Sequence, residues 1–216
     1  MNLASYTFNS QYQPSSNDNN HLPSLRLLEG GRFLPEQYSP ILLEEYNQVR
    51  LRFFRWGFVP AWARSSELNK YRTFADVNHI FEYTPFQLAI HDRRCLIPAD
   101  GFYMETETSK GKQTVKLARE DGENFCFAGI YDSCKRRDGS TQYSFAILTT
   151  ETPPHLQSIG LRIPLILPRT EEHNWLSPHT SLKKVRQLFQ SLDADQLHLM
   201  PVIELQEAPV MDPLAA

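Results

Sequence analysis

Short apolar runs separated by turn residues dominate the middle of the chain, and this pattern constrains the fold more than any other feature. In residues 49–58 the apolar side chains alternate around Leu51, Phe53 and Trp56, which is the period of a strand with one buried face. A turn at 138–140 separates two later runs. The pattern predicts a sheet of mainly antiparallel strands, with further strands at 113–118, 124–131, 143–149 and 164–167.

Helical patterns are fewer and shorter. Thr84-Pro85 suits the N-cap and first position of a helix, and apolar residues at helical spacing recur at 170–176 and at 181–192. Because helices do not alternate regularly with strands, we predict an α+β fold with flanking helices and not a series of βαβ units. The side chains predicted to face inward are Phe86, Ala89, Ile90, Trp175, Leu176, Val185, Leu188, Phe189 and Leu192.

The chain is long enough for one large domain with its own core. It has 216 residues, of which 41% are hydrophobic, as is typical of globular proteins. Residues 1–24 are polar and rich in Asn, Ser and Gln. We predict a flexible N-terminal segment at 1–24, a single domain at 25–206 and a C-terminal tail at 207–216.

Several classes of protein are disfavoured by composition. No apolar run approaches the ~20 residues needed to cross a bilayer, and no basic stretch followed by an apolar core marks a secretory signal, so we expect a cytoplasmic protein without membrane contact. The net charge of −3 argues against bulk electrostatic binding of nucleic acid. Of the three cysteines, Cys134 precedes basic residues and is the candidate for a reactive thiol.

A local run identifies a family resemblance. Residues 93–103 read RRCLIPADGFY, which resembles the central signature of the SOS response-associated peptidases, the SRAP family. Further segments resemble other family elements in the same order: LRFFRWGFVPAWA at 51–63, FAGIYD at 127–132, FAILTTE at 145–151 and IGLRIPLIL at 159–167. The resemblance spans roughly residues 30–205 and implies a single SRAP-type domain with an antiparallel, barrel-like β core.

The resemblance also implies a chemistry that this chain does not carry in full. Family members process abasic sites in single-stranded DNA with an N-terminal Cys, whose amine and thiol together form a thiazolidine with the open sugar. An Asn, a Glu and a His assist that reaction. The matching positions here are occupied by Asn2, Phe74, Met104 and Gly160. The resemblance therefore implies a family fold with a degenerate, inactive site.

Neighbouring residues offer few substitutes for the missing groups. Glu105 lies one residue beyond the expected carboxylate, and a one-residue shift along a strand turns a side chain to the opposite face unless a β-bulge intervenes. His79 and His155 lie near two of the replaced positions, yet each is more often a surface histidine than a catalytic one. No spacing of His, Cys, Asp or Glu suggests a metal site, and we predict no cofactor.

Residual DNA contacts are predicted around the replaced positions. Trp62 matches a family tryptophan beside the DNA and is either a stacking platform or a core residue. Asp76 stands where the family has a phosphate-facing Arg, and this reversal of charge predicts weak binding with a shallow salt dependence. The candidate phosphate contacts are Arg162, Arg55, Arg64 and Arg72.

Three hypotheses follow from these residues. The first is a non-catalytic SRAP-fold protein that keeps weak binding of single-stranded or abasic DNA. The second is a protein-interaction module without DNA binding, which an exposed apolar patch at Phe74 and Met104 would favour. The third is a rearranged enzyme that uses Glu105 and the N-terminal amine to form an imine.

Overall fold

The computed structural model describes residues 3–9, 30–63, 71–108, 111–190, 194 and 196–200. Within them the chain is mostly strand, with short helices between the later strands. The strands are β1 (Leu3–Phe8), β2 (Gly31–Phe33), β3 (Tyr38–Glu45), β4 (Gln48–Trp56), β5 (Phe74–Asp76), β6 (Arg94–Ala99), β7 (Gly101–Thr108), β8 (Gly111–Arg119), β9 (Phe125–Lys135), β10 (Thr141–Glu151), β11 (Arg162–Pro164), β12 (Ile166–Leu167) and β13 (Leu197–Met200). The helices are α1 (Thr84–Asp92), α2 (Glu172–Leu176) and α3 (Leu182–Leu188), and 3₁₀ turns span Pro154–Ile159 and Arg169–Glu171.

Five strands close into a barrel in the order β10-β4-β3-β6-β9, and β9 pairs back with β10. The β4–β10 pair is parallel, whereas the other pairs of the ring are antiparallel. β10 extends beyond the ring, and its second half also pairs with β5 and β11. The predicted antiparallel, barrel-like α+β fold is confirmed.

A second sheet packs against the barrel and has the strand order β13-β8-β7-β1-β2. The Tyr6 ring from β1 packs 5.3 Å from Phe33, 5.5 Å from Trp56 and 5.8 Å from Phe127, measured between ring centroids. Large aromatic side chains supply much of the buried area of a core. This cluster therefore joins the second sheet to the barrel, and it fixes where the N-terminal strand enters the molecule.

The helices bury the described side chains that their periodicity predicts, whereas Leu192 lies outside the described residues. Phe86, Ala89 and Ile90 of α1 are buried, as are Trp175 and Val185 of the later helices. α3 begins after Ser181, whose hydroxyl accepts the N–H of Lys184 and so caps the helix. The predicted strand at 164–167 belongs to two short strands, β11 paired with β10 and β12 paired with β9. Leu165 lies between them and bonds to both neighbours: its N–H donates to Leu148 O and its carbonyl accepts from Ala128 N.

The N-terminal prediction is wrong for part of its range. Leu3–Phe8 is an ordered, mostly buried strand and belongs to the domain, although it was predicted within a flexible segment. Its apolar residues Leu3, Tyr6 and Phe8 are separated by small polar residues, and the Asn-rich and Ser-rich sequence after them hid this short pattern. Residues 10–29 and the predicted tail at 207–216 lie outside the described residues.

A search of the described residues for a helix long and apolar enough to cross a membrane finds none.

Candidate functional site

Two of the replaced family positions lie in or against one apolar cluster, and a third follows the cluster residue Ile159. Leu3 of β1 is the register partner of Met104 in β7, and both side chains are buried in the cluster against which Phe74 packs. Phe74 also contacts Trp56 edge to face at 5.8 Å. The N-terminal strand therefore brings Leu3, the first described residue, beside Met104. The cluster around these two residues consists of buried apolar side chains.

Met104 forms no surface patch, so the patch imagined at Phe74 and Met104 is absent in that form. The Met104 side chain is 1% exposed, and Phe74 is half-buried. Both face the cluster because β1 covers β7 along its whole first half. A buried thioether has no acidic proton and accepts hydrogen bonds only weakly.

Gly160 ends the 3₁₀ turn that borders this cluster. The Thr106 hydroxyl of β7 donates to Ser158 O at 3.2 Å and ties that turn to the second sheet. The backbone of Gly160 has φ +139°, a conformation that L residues with a side chain rarely adopt. A histidine therefore does not fit here without a change of backbone, although the space beyond the missing Cβ is open.

Glu105 lies on the outer face of β7 and is exposed. The register between β7 and β8 is continuous, with Met104 opposite Val115 and Glu105 opposite Thr114. The irregularity in the β1–β7 pairing falls between Leu3 and Ser5 on the other strand. The carboxylate consequently points away from the apolar cluster, and the structure gives it no route to the replaced Glu position.

Arg162 is held by the protein itself. Its Nη2 donates to Asp76 Oδ1 at 2.5 Å and to Thr149 O at 2.7 Å, while its Nε lies 3.4 Å from Thr149 Oγ1. Asp76 Oδ1 also accepts the N–H of Asn78 at 2.8 Å. Two residues that the sequence marked separately, a phosphate-binding arginine and a charge reversal, thus form one ion pair.

The other predicted arginines are unequal. Arg55 pairs with Glu36 at 3.0 Å, and its guanidinium lies 4.9 Å from the ring centre of Tyr71. Arg72 is exposed and lies 4.6 Å from the ring centre of Tyr83. Charge neutralisation therefore extends to Arg55, whereas Arg72 keeps an exposed guanidinium.

Asn2 and Arg64, which complete the predicted site, lie outside the residues that the structure describes.

Trp62 is exposed over 62% of its surface, so its role as a core residue is excluded. It sits in a loop whose backbone is fixed by buried polar side chains. Val59 N donates to Ser144 Oγ at 2.8 Å, and Ala61 N donates to Asp132 Oδ2 at 2.9 Å. Asp132 in turn lies 3.6 Å from Arg93 Nε. The protein therefore presents a large aromatic ring to solvent from a pre-organised loop.

Asp132 and Ser144 were missed in the sequence, although a signal for them exists. Each is a polar residue inside an otherwise apolar strand run, FAGIYD for Asp132 and YSFAIL for Ser144. They are register partners on β9 and β10. A buried polar side chain costs free energy unless it is hydrogen-bonded, so such positions commonly anchor a backbone segment.

The remaining candidates do not join the site. His79 is exposed and pairs with Glu82 at 3.0 Å, and His155 Nε2 lies 3.3 Å from Ala194 O. Burial raises the pKa of the Cys134 thiol more than nearby Arg136 lowers it, which disfavours the reactive thiolate that the sequence suggested. Among the described residues, no group of three or more His, Cys, Asp or Glu could hold a metal ion.

These features follow one strand. β4 pairs with β10 at Ser144 and Phe145, β5 pairs at Ile147 to Thr149, and β11 pairs at Thr149 to Glu151. The Trp62 loop is therefore anchored at the Ser144 end of β10, and the Asp76–Arg162 pair lies at the Thr149 end. At ~3.3 Å per residue, the two anchoring points are ~16 Å apart, with Phe74 between them.

Comparison with known proteins was made on sequence and on structure. Residues 16–206 match the family described as SOS response associated peptidase (SRAP). Abasic site processing protein YoaM of Bacillus subtilis (strain 168) is 30% identical over 177 residues, covering 81% of this chain and 78% of that protein. Abasic site processing protein YoqW of Bacillus phage SPbeta is 29% identical over 177 residues, covering 81% and 79%.

Solved structures give the same fold. A crystal structure of a protein from Bacteroides thetaiotaomicron superimposes with a TM-score of 0.73 at 26% identity, covering 82% of this chain and 81% of the other. A protein from Bordetella bronchiseptica superimposes with a TM-score of 0.74 over 92% of this chain and 100% of the other. At 19% identity, the second comparison shows the fold alone.

Proposed function

This chain belongs to the SOS response associated peptidase (SRAP) family, and from that premise we propose that it recognises single-stranded DNA, abasic sites in particular, without bonding to it covalently. The named relatives are abasic site processing proteins, and the fold that carries their activity is present here. The proposal has two parts: the loss of covalent chemistry and the survival of a non-covalent contact. Cytoplasmic residence stays a prediction of the sequence.

One observation carries the first part: Met104 is buried against Leu3 where the family has a carboxylate beside its N-terminal nucleophile. A proton-transfer group works within hydrogen-bond reach of the reacting atoms. Phe74 and Met104, which occupy two of the replaced positions in the cluster with Leu3, carry no group that exchanges protons. The conformation of Gly160 opposes a histidine there as well.

The second part rests on Trp62. An exposed aromatic ring on a fixed loop stacks on any base, and such stacking contributes ~1–3 kcal/mol per base. A loop that is already ordered loses little conformational entropy on binding. The loop that carries the ring is anchored ~16 Å along β10 from the Asp76–Arg162 pair, and we propose that a bound strand extends from Trp62 towards that pair.

Weak affinity follows from the charges. Asp76 occupies Arg162 and Glu36 occupies Arg55, which leaves Arg72 as the described candidate with an exposed guanidinium. Phosphate contacts release counterions, and each contributes about −0.7 to the slope of log affinity against log salt for single strands. With one or two such contacts, we expect a slope between about −0.7 and about −1.4, well below that of a protein with many phosphate contacts.

The test is a fluorescence anisotropy titration of the full chain with two labelled single strands, identical except for one abasic site. Both are titrated at about 50 mM and about 200 mM salt. We expect measurable binding of both strands, tighter for the abasic strand, with the shallow slope given above. Trp62→Ala is expected to weaken both, whereas Tyr46→Ala, which removes an exposed aromatic side chain from the β3–β4 turn, serves as the matched control.

A second candidate function is a protein-interaction module that has left DNA. Leu161, which follows Gly160, is 85% exposed, and an exposed large apolar side chain beside neutralised arginines suits a protein contact better than a phosphate. The same titration separates the two functions. If neither strand binds to folded protein at the lower salt, the DNA proposal fails and the Leu161 surface becomes the place to seek a partner.

A further inference from the structure

We propose that Asp76 is a built-in competitor for the phosphate that Arg162 would otherwise bind, so that a single carboxylate sets both the affinity and the salt dependence of this site. This inference rests on the proposed function, because it concerns how the same cleft binds single-stranded DNA. It assigns to Asp76 a direct effect on DNA affinity. The carboxylate would lower the affinity by occupying the Arg162 guanidinium, and not only because position 76 lacks a positive charge.

The geometry of the pair supports the inference. β5 and β11 flank the second half of β10 on opposite edges, with Asp76 level with Thr149 and Arg162 level with Glu151. The Arg162 guanidinium therefore reaches across β10 and meets Asp76 Oδ1 at 2.5 Å. Its bonds to Thr149 O and Oγ1 fix the guanidinium at that place. The guanidinium is therefore held in a fixed position where it can bind an anion, and the anion that it binds in the structure is the Asp76 carboxylate.

The carboxylate occupies the arginine as a phosphate oxygen would. Guanidinium groups bind carboxylates and phosphates through the same N–H donors. Asp76 Oδ1 receives two donors, Arg162 Nη2 and the backbone N–H of Asn78 at 2.8 Å, and a phosphate oxygen accepts both kinds of donor. The pair is only partly exposed, with side-chain exposures of 20% for Arg162 and 30% for Asp76, so salt screens it less than a surface pair.

The local charge also matters. Glu151, which is level with Arg162 on β10, is exposed, and its carboxylate accepts from Asn78 Nδ2 at 3.4 Å. The three charged groups Asp76, Glu151 and Arg162 sum to one negative charge, which repels an approaching strand. Removal of Asp76 alone brings this sum to zero and at the same time frees the guanidinium, whereas removal of Glu151 changes the charge equally without freeing it.

The test uses this difference. Asp76→Asn and Glu151→Gln each remove one negative charge from the same place, and both are titrated in the full chain with the labelled abasic strand by fluorescence anisotropy. We expect Asp76→Asn to bind about tenfold more tightly at low salt and its salt slope to be steeper by about 0.7, since one more cation reaches phosphate. Glu151→Gln should change affinity by less than about threefold, with the slope unchanged.

The double variant Asp76→Asn with Arg162→Gln completes the cycle. If the gain comes from a freed arginine, the double variant returns to the wild-type slope. An Asp76→Asn affinity equal to that of Glu151→Gln, or a gain that survives in the double variant, would overturn the inference. Asp76→Ser repeats the neutralisation with a smaller side chain, and melting curves identify any variant that does not fold.

The outcomes separate the inference from the proposed function. Wild-type binding without a gain in Asp76→Asn overturns the inference and leaves the function standing. A blank wild-type titration with clear, Arg162-dependent binding by Asp76→Asn supports the inference and contradicts the weak binding proposed for the natural chain. No binding by any folded variant contradicts both.

Discussion

The two ends of β10 treat their functional side chains in opposite ways. At the Ser144 end, buried polar groups bond to the backbone of a loop and leave the Trp62 ring in solvent. At the Thr149 end, a polar group bonds to the functional side chain itself, and Asp76 occupies Arg162. Between them, Phe74 and Met104 join an apolar cluster with Leu3. β10 therefore supports an exposed tryptophan near one end and an arginine that is paired with a carboxylate near the other.

The difference shows which parts of a binding site depend on one another. Presentation of Trp62 depends on Asp132 and Ser144, which contact backbone and do not touch the ring. The proposed loss of covalent chemistry and of a phosphate contact depends instead on the side chains at 74, 76, 104 and 160. In the proposal, the aromatic contact therefore stays while the covalent chemistry and a phosphate contact are lost. The following predictions test that separation, beginning with the largest effect.

A carboxylate placed at position 104, in the apolar cluster between the two ends of β10, should destabilise the protein. Met104→Glu places an ionisable group beside Leu3 in a cluster with little access to water, and we expect the free energy of unfolding to fall by about 4 kcal/mol at neutral pH. Burial favours the protonated form and raises the pKa of this carboxyl in the folded state, so the loss should shrink as the pH falls towards about 4 and stay constant below it, where the carboxyl is neutral in both states. Urea unfolding at two pH values measures it.

Met104→Leu is the matched control, since it keeps the volume and should cost less than about 1.5 kcal/mol. A Met104→Glu variant as stable as wild type at neutral pH would show that water or a cation reaches this position. The description of the cluster around Met104 as closed to water would then be wrong.

The Trp62 end should depend on Asp132. Asp132→Ala removes the acceptor of the Ala61 N–H and the ion-pair partner of Arg93, and we expect about 2–3 kcal/mol of lost stability together with a loosened loop. Trp56 and Trp175 are fully buried, so quenching of tryptophan fluorescence by acrylamide reports mainly on Trp62. The time-resolved anisotropy of that signal should show faster local motion.

Asp138→Ala, in the exposed β9–β10 turn, removes the same kind of side chain away from the loop and should leave the Trp62 signal unchanged. If Asp132→Ala also left that signal unchanged, the loop would be held by other contacts, and the contrast between the two ends would lose its structural basis.

Trp62→Ala should separate binding from stability. The ring is mostly exposed, so we expect a change in unfolding free energy within about 0.5 kcal/mol. Loss of a stacked base should weaken single-strand binding by ~1–3 kcal/mol. Isothermal titration and thermal melting on the same preparation measure both quantities. Equal affinity for the variant and the wild type would remove the aromatic contact from the proposal.

High pH should lower the free energy of unfolding through Tyr131, which lies near the anchor of the Trp62 loop. Burial raises the pKa of Tyr131, which precedes Asp132, to about 12. A raised pKa in the folded state means that this contribution to stability is complete below about 10 and is lost as the pH rises through about 12. Unfolding followed between those values should show a step that Tyr131→Phe reduces. An identical step in the variant would assign it to other tyrosines.

The sequence predicts local structure well here because each buried strand face repeats every second residue. The alternation in 49–58 becomes β4, and the helical stripe at Val185 and Leu188 becomes α3. β1 escaped prediction because its few apolar residues adjoin a polar sequence. The barrel-like core was predicted only from the family resemblance, since its closure depends on β10 pairing with four other strands, and no local pattern encodes that.

The site was predictable in its parts and not in its contacts. Phe74, Met104 and Gly160 could be marked one by one, and so could Asp76 and Arg162. That the last two neutralise each other depends on two short strands flanking β10, 86 positions apart in sequence. The exposure of Trp62 likewise depends on hydrogen bonds from its loop to residues on β9 and β10, which the sequence does not place beside it.

The most direct test of the central claim is to measure adduct formation and binding on one preparation. The full chain is incubated with a labelled abasic single strand, with and without borohydride, and each sample is divided between a denaturing gel and an anisotropy measurement. We predict binding in solution and no band of protein-linked DNA in either gel lane. A linked band without reductant would mean that the covalent chemistry survives, and a band only with borohydride would mean that an amine of this chain forms an imine with the lesion.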